Sequence, residues 1–153
     1  MKHADFMQVA LEEALLAAQE GEIPVGAVLV IDDKIIARAH NMRETTHDAT
    51  AHAEVLAIRD ACRKIKNWRL GNAAIYVTLE PCPMCAGAIV NAHIKRLVFG
   101  ASNTTAGGSG SLFNITHNPN LNHQVEVIGG VLEEECSALL KNFRFTSDIS
   151  PHD

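Results

Sequence analysis

The chain has 153 residues, 47% of them hydrophobic and 20% charged, with a mean hydropathy of +0.04, which excludes a disordered polymer and suits one core burying about 70% of the unfolded surface without disulfide support. A formal net charge of −5 excludes a protein that coats nucleic acid by charge alone. The longest apolar run, Ile23 to Ile31, is broken by Pro24 and Gly26 and falls short of the ~18 residues of a membrane span, and Asp5, Glu12 and Glu13 interrupt the pattern a signal peptide needs, so one cytoplasmic domain over residues 1–153 is expected.

Phe6, Val9, Ala10, Leu11, Ala14, Leu15 and Ala18 recur at three and four spacing, which predicts an amphipathic helix from Asp5 to Glu20, stopped by Gly21. Val25 to Ile31 is apolar and rich in β-branched residues, Asp32-Asp33-Lys34 has turn chemistry, and Ile35 to His40 resumes the apolar pattern, so the three together read as a hairpin. A polar loop from Asn41 to Thr50 leads into a helix from about Ala51 to Lys66. Ala74–Leu79 reads as a strand, Pro83–Ala92 as a helix and Arg96–Gly100 as a strand. The small, polar stretch Ala101–Gly110 reads as a loop approaching the site. Val125–Ile128 is a short strand, and Leu132–Phe143 a closing helix with three glutamates in its first turn, where the helix dipole favours acids. Strands alternating with helices after a hairpin imply an α/β fold with a mostly parallel sheet covered on both faces.

Two clusters stand where a loop or strand meets a helix, Ala51-His52-Ala53-Glu54 and Pro81-Cys82-Pro83-Met84-Cys85. Zinc takes imidazole nitrogen and thiolate sulfur, and a catalytic zinc keeps three protein ligands, a set that His52, Cys82 and Cys85 can supply. Residues three apart on a helix share one side, the positive end of the helix favours thiolates, and Pro83 suits a first turn that needs no N–H donor. Glu54 follows His52 by two residues and can act either as a fourth ligand or as a proton shuttle to a metal-bound water. Cys62 and Cys136 fall at apolar helical positions and read as buried free thiols. Arg59, Arg63, Lys64, Lys66 and Arg69 crowd one short stretch, a local basic face on an acidic chain.

Together with Gly21-Glu22-Ile23-Pro24-Val25-Gly26-Ala27-Val28, Asn67-Trp68-Arg69-Leu70 and Thr78-Leu79-Glu80-Pro81-Cys82-Pro83-Met84-Cys85-Ala86-Gly87-Ala88, these clusters make the sequence resemble the bacterial tRNA-specific adenosine deaminases, within the zinc-dependent cytidine and deoxycytidylate deaminase superfamily. The resemblance implies a three-layer α/β/α cytidine-deaminase-like fold, with a mixed, mostly parallel sheet of about five strands and an N-terminal β-hairpin. It also implies one zinc per chain on His52, Cys82 and Cys85, with Glu54 moving protons while adenine is attacked at C6. Asn41 is implied as a hydrogen-bonding partner of the base, with Val25 and Ala53 lining its pocket and Asn103 on the loop that borders it. The implied substrate is the wobble adenosine of a tRNA anticodon stem-loop, the product inosine, and the assembly a homodimer.

The sequence departs from the family twice. An acidic residue and a lysine are expected where Asn103 and Thr105 stand, and the C-terminal stretch Asn142-Phe143-Arg144-Phe145-Thr146 lacks the usual paired phenylalanines and basic residues. A deaminase of a free nucleobase or nucleoside therefore stays open as a second reading. A non-catalytic zinc module, its site closed by Cys62 or His93, is a third.

Overall fold

The computed structural model describes residues 2–143; Met1 and residues 144–153, including Arg144 and Phe145 of the departing tail, lie outside the described residues. In chain order the elements are α1 (His3–Gln19), β1 (Gly26–Ile31), β2 (Lys34–His40), α2 (Arg43–Thr46), α3 (Ala53–Ile65), β3 (Ala73–Leu79), α4 (Pro83–Asn91), β4 (Arg96–Ala101), β5 (Glu126–Ile128) and α5 (Glu133–Asn142). The five strands form one sheet in the order β2-β1-β3-β4-β5. Strand β1 runs antiparallel to β2 and β3, whereas β3, β4 and β5 are parallel, so four of the five strands point the same way. This is the expected mixed, mostly parallel sheet with an N-terminal hairpin.

The hairpin turn has positive φ at both Asp32 (50°) and Asp33 (60°), the combination whose twist matches the flanking strands and which aspartate tolerates better than most residues. Alternation along each strand then feeds two cores. Ala27, Leu29, Ile75, Val77, Leu97 and Phe99 face Ala57, Ala61 and Ile89 of α3 and α4. Val28, Val30, Tyr76 and Val98 face Phe6, Met7 and Ala10 of α1 and Cys136 of α5. Helices thus cover both faces, giving three layers.

Several boundaries differ from the sequence reading. Helix α1 begins at His3 and gives way at Gly21, whose φ of 79° lets the Glu22 N–H turn back to the Ala17 carbonyl at 2.9 Å. The loop from Asn41 to Thr50 contains the short α2, which has no apolar periodicity to announce it. Helix α3 starts at Ala53, not Ala51, because His52 is its extended N-cap residue. Strand β5 begins at Glu126, while Val125 is wholly buried just before it. Cys136 is buried as expected, but Cys62 is only half-buried, its sulfur 3.6 Å from the Trp68 carbonyl.

Candidate active site

Because β1 runs against its neighbours, its first residue and the last residues of β2, β3 and β4 meet at one edge of the sheet. In open α/β sheets this edge, beyond the carboxyl ends of the parallel strands, is where ligands bind. Helices α3 and α4 both start there, with His52 and Cys82 as extended N-cap residues, and Pro83 opens α4 where its missing N–H is not needed. Cys85 lies one turn into α4, so its sulfur returns towards the helix start.

His52 Nδ1 lies 3.6 Å from Cys82 Sγ and 3.4 Å from Cys85 Sγ, and the three donor atoms fall within 4.8 Å of one another. In a tetrahedral zinc site with ordinary Zn–N and Zn–S bonds, the N···S edge is about 3.6 Å. The donor set and its spacing therefore fit a tetrahedral ion of this kind. Cys62 and His93 are not part of the cluster. Cys62 sits towards the other end of α3, and His93 packs between the Trp68 and His123 rings, at centroid distances of 5.7 and 4.7 Å. Among the described residues no fourth His, Cys, Asp or Glu joins the three, which removes the observation on which a closed structural site would rest.

The electrostatics are those of a compressed cluster. Hydrogen bonding from Cys85, together with His52, pulls the Cys82 thiol down to about 4, while Cys85 is pushed up by sharing its proton with Cys82 and by burial. The hydrogen bond to Cys82 raises His52 despite its desolvation. Glu54, only 4% exposed, is raised to about 7 chiefly by burial.

His52, Glu54 and Cys82 open into a cavity of about 470 Å³, within the size range of small-molecule sites. Val25, Asn41, Ala53 and Asn103, the four residues expected to meet a substrate, all line it, as do Ile23, Arg43, Leu79, Glu80, Thr105, Ala106 and Leu140. The 101–110 loop therefore does approach the site. Asn41 is nearly buried, with its Nδ2 donating to the Ile23 carbonyl at 3.4 Å and its Oδ1 accepting from the Arg43 N–H at 3.3 Å. Asn103 Oδ1 is committed to its own loop, accepting from the Thr105 and Ala106 N–H groups at 3.3 and 3.0 Å.

Sequence reading missed two buried carboxylates that hold this rim. Glu22 accepts hydrogen bonds from the Glu44 N–H (3.0 Å), the Thr45 N–H (2.6 Å) and the Thr45 hydroxyl (2.6 Å), anchoring α2 beside Asn41. Glu80 receives donors from the 103–111 loop; burial opposes its ionisation, but hydrogen bonds from Ser111, Asn103 and Ser109 outweigh this and hold its pKa below the usual value. The only signal in the sequence is an acid inside an otherwise apolar motif.

The basic stretch divides in space. Arg59, Arg63 and Lys66 line a shallow groove with Trp68, which is 61% exposed, and the Arg69 guanidinium stands 5.9 Å from the Trp68 ring centre. Lys64 instead pairs with Asp60 at 2.9 Å and donates to the Ile36 carbonyl of β2, so it is not part of that groove.

A three-layer mixed sheet with a His-Cys-Cys cluster and a buried glutamate at two helix starts defines a deaminase-type site. The model of the MafB19-like deaminase family matches residues 1–144. The chain belongs to this family. It is 53% identical over 138 residues to a tRNA-specific adenosine deaminase of Bacillus subtilis, covering 90% of this chain and 86% of that protein. The corresponding protein of Haemophilus influenzae is 52% identical over 138 residues, with 90% and 80% covered. A solved structure from a study of A-to-I editing by tRNA:A34 deaminases at the wobble position superimposes with a TM-score of 0.86 at 43% identity, covering 89% of this chain and 99% of that one. A guanine deaminase from Bacillus subtilis gives a TM-score of 0.65 at 32% identity, covering 98% and 99%.

Proposed function

We propose that this chain deaminates adenosine to inosine at the wobble position of a tRNA anticodon stem-loop. The observation that carries the reading is its 53% identity, over nearly the whole chain, to a protein named for that reaction class. The 32% identity to a guanine deaminase supports the free-base alternative less strongly.

His52 Nδ1 and the Cys82 and Cys85 sulfurs would hold one zinc ion. Bound there, zinc would act as a Lewis acid that lowers the pKa of a coordinated water. Glu54, buried at the cavity wall beside His52, takes protons from the attacking water and delivers them to the base. The balance is simple: the water oxygen goes to C6, one of its protons ends on N1, and the other leaves with the amino group as ammonia. Asn41, fixed at both ends of its amide, presents a polar edge to the base, while Val25 and Ala53 give it flat apolar walls. Glu54 and the partly enclosed cavity favour a nucleotide already splayed from its stack, as anticodon-loop bases can be.

The groove of Arg59, Arg63, Lys66 and Trp68 supplies cations and an aromatic face for the RNA outside the cavity. Met84, Leu112 and Phe113 are exposed near the 103–113 loop and the start of α4, which supports a homodimer. Among the described residues no helix is long and apolar enough to cross a membrane, and action on tRNA favours the cytoplasm. Incubation of the purified protein with total tRNA, followed by sequencing, tests the reading: adenosine-to-inosine changes are expected at wobble positions, and their absence would reject it.

A further inference from the structure

Glu80 directly follows β3, two residues before Cys82, and is 1% exposed. Among the described residues no cation forms an ion pair with it. Its carboxylate is instead saturated by one loop. Oε1 accepts from the Asn103 N–H at 3.1 Å and from the Ser111 hydroxyl, and Oε2 accepts from the Ser109 and Ser111 N–H groups at 3.1 and 3.0 Å. The loop closes tightly over the acid: a Cβ on Gly107 would stand 2.4 Å from Glu80 Oε2, so glycine is what lets the backbone pass. The Gly107 N–H donates to the Asn103 carbonyl at 2.9 Å and the Gly108 N–H to the Pro81 carbonyl at 2.7 Å.

The same loop gives the cavity Asn103, Thr105 and Ala106. A hierarchy follows. Glu80 fixes the Asn103 backbone, and the Asn103 side chain, by accepting from Thr105 and Ala106, fixes the next turn of the wall. Beyond the isolated bridge between Ser109 and Asn114, residues 103–111 lie in no strand or helix that could impose this shape.

We propose that Glu80 is a positioning residue for the reaction: it hangs the 103–111 loop on the end of β3 and so sets the wall against which the target nucleotide is held. The inference rests on the proposed deamination only for its substrate readout. Glutamine at this position keeps the size but has a single acceptor oxygen. If that oxygen serves the Ser109 and Ser111 N–H groups, the new NH₂ confronts the Asn103 N–H, whereas the Ser111 hydroxyl can turn and accept. The loop should therefore detach first at Asn103, the end that lines the cavity.

The test compares Glu80→Gln and Ser111→Ala with wild type. Hydrogen exchange at the Asn103, Thr105 and Ala106 amides should accelerate by about 10- to 100-fold in Glu80→Gln, the equivalent of one charge-assisted hydrogen bond, with β3 and β4 amides and bound metal unchanged. KM for a wobble-adenosine stem-loop should rise by a similar factor while kcat stays within about threefold, as expected when ground-state and transition-state binding are lost together. Ser111→Ala, which leaves three of the four bonds, should change both only slightly. Wild-type exchange in the 103–111 loop of Glu80→Gln, or faster exchange with an unchanged KM, would overturn the proposal. Wild-type protein inactive on the stem-loop would reject the substrate reading alone, and the exchange data would then decide the clamp by themselves.

Discussion

Replacing Glu22 by alanine tests whether the rim around Asn41 depends on a single buried acid. The side chain is 0% exposed and accepts three hydrogen bonds, two from backbone N–H groups and one from a hydroxyl. Hydrogen bonds to a charged group contribute about 1.5–3 kcal/mol each, so the gross loss is large. Two effects reduce it. Glu44 and Thr45 are exposed, so water can take over their donors, and the variant no longer bears the cost of burying a carboxylate. A net loss of about 2–3 kcal/mol remains, in the upper part of what single substitutions do. For a chain of this length that corresponds to a fall in Tm of about 5–10 °C. Because α2 also carries Arg43, whose N–H holds Asn41 Oδ1, KM for the stem-loop should rise as well. Glu22→Gln, which keeps one acceptor oxygen, should show about half the thermal effect. Thermal melts by circular dichroism and initial-rate kinetics on the same preparations give both numbers. A Tm within about 2 °C of wild type, together with an unchanged KM, would refute the reasoning.

Cys85→Ala should lose stoichiometric zinc in elemental analysis, because two donors cannot complete a tetrahedral site; undiminished zinc would contradict the assignment. Glu54→Ala should retain the metal and the fold but lose about 10²–10⁴ in kcat/KM, the usual contribution of general acid–base catalysis, and loss of zinc instead would make Glu54 a ligand. The two ring nitrogens of His40 lie 2.8 Å from a Glu13 carboxylate oxygen and 3.0 Å from one of Glu20, and Glu13 also accepts from Arg38 at 2.8 Å. Burial disfavours the His40 charge, but these carboxylates raise its pKa above 6.5 overall. Its contribution to stability is thus full below about pH 6.5 and is lost as the pH rises through the folded-state value, so His40→Gln should destabilise at pH 6 and much less at pH 9, as read by urea titration. Neutralising Arg59, Arg63 and Lys66 together should weaken RNA binding and flatten its salt dependence, whereas neutralising Lys64, held between Asp60 and β2, should not.

What was legible in the sequence was what chemistry or period writes locally. Ligand types at two helix starts announced His52, Cys82 and Cys85, and β-branched runs around Asp32-Asp33 announced the hairpin. The hidden parts depend on partners far along the chain. Glu22 and Glu80 act through backbone N–H groups 22 to 31 residues away, which no residue type marks. The pairing of β1 with β3 spans α2 and α3, and although the resemblance implies Val25 and Asn41 as pocket residues, only the folded chain shows that Leu140 of α5 shares their cavity. Helix α2 escaped because Arg43-Glu44-Thr45-Thr46 offers no apolar face, its position being imposed by Glu22. The basic stretch looked continuous because sequence carries no direction; the helix turns Lys64 away from Arg59, Arg63 and Lys66.

The most direct test of the central claim is a side-by-side assay of the purified, zinc-loaded protein on an anticodon stem-loop with adenosine at the wobble position, on free adenosine and on guanine, with products identified by mass spectrometry. The proposed function predicts inosine in the stem-loop and almost no turnover of the two small molecules. Turnover of free adenosine or guanine at a rate comparable to that of the stem-loop would contradict it.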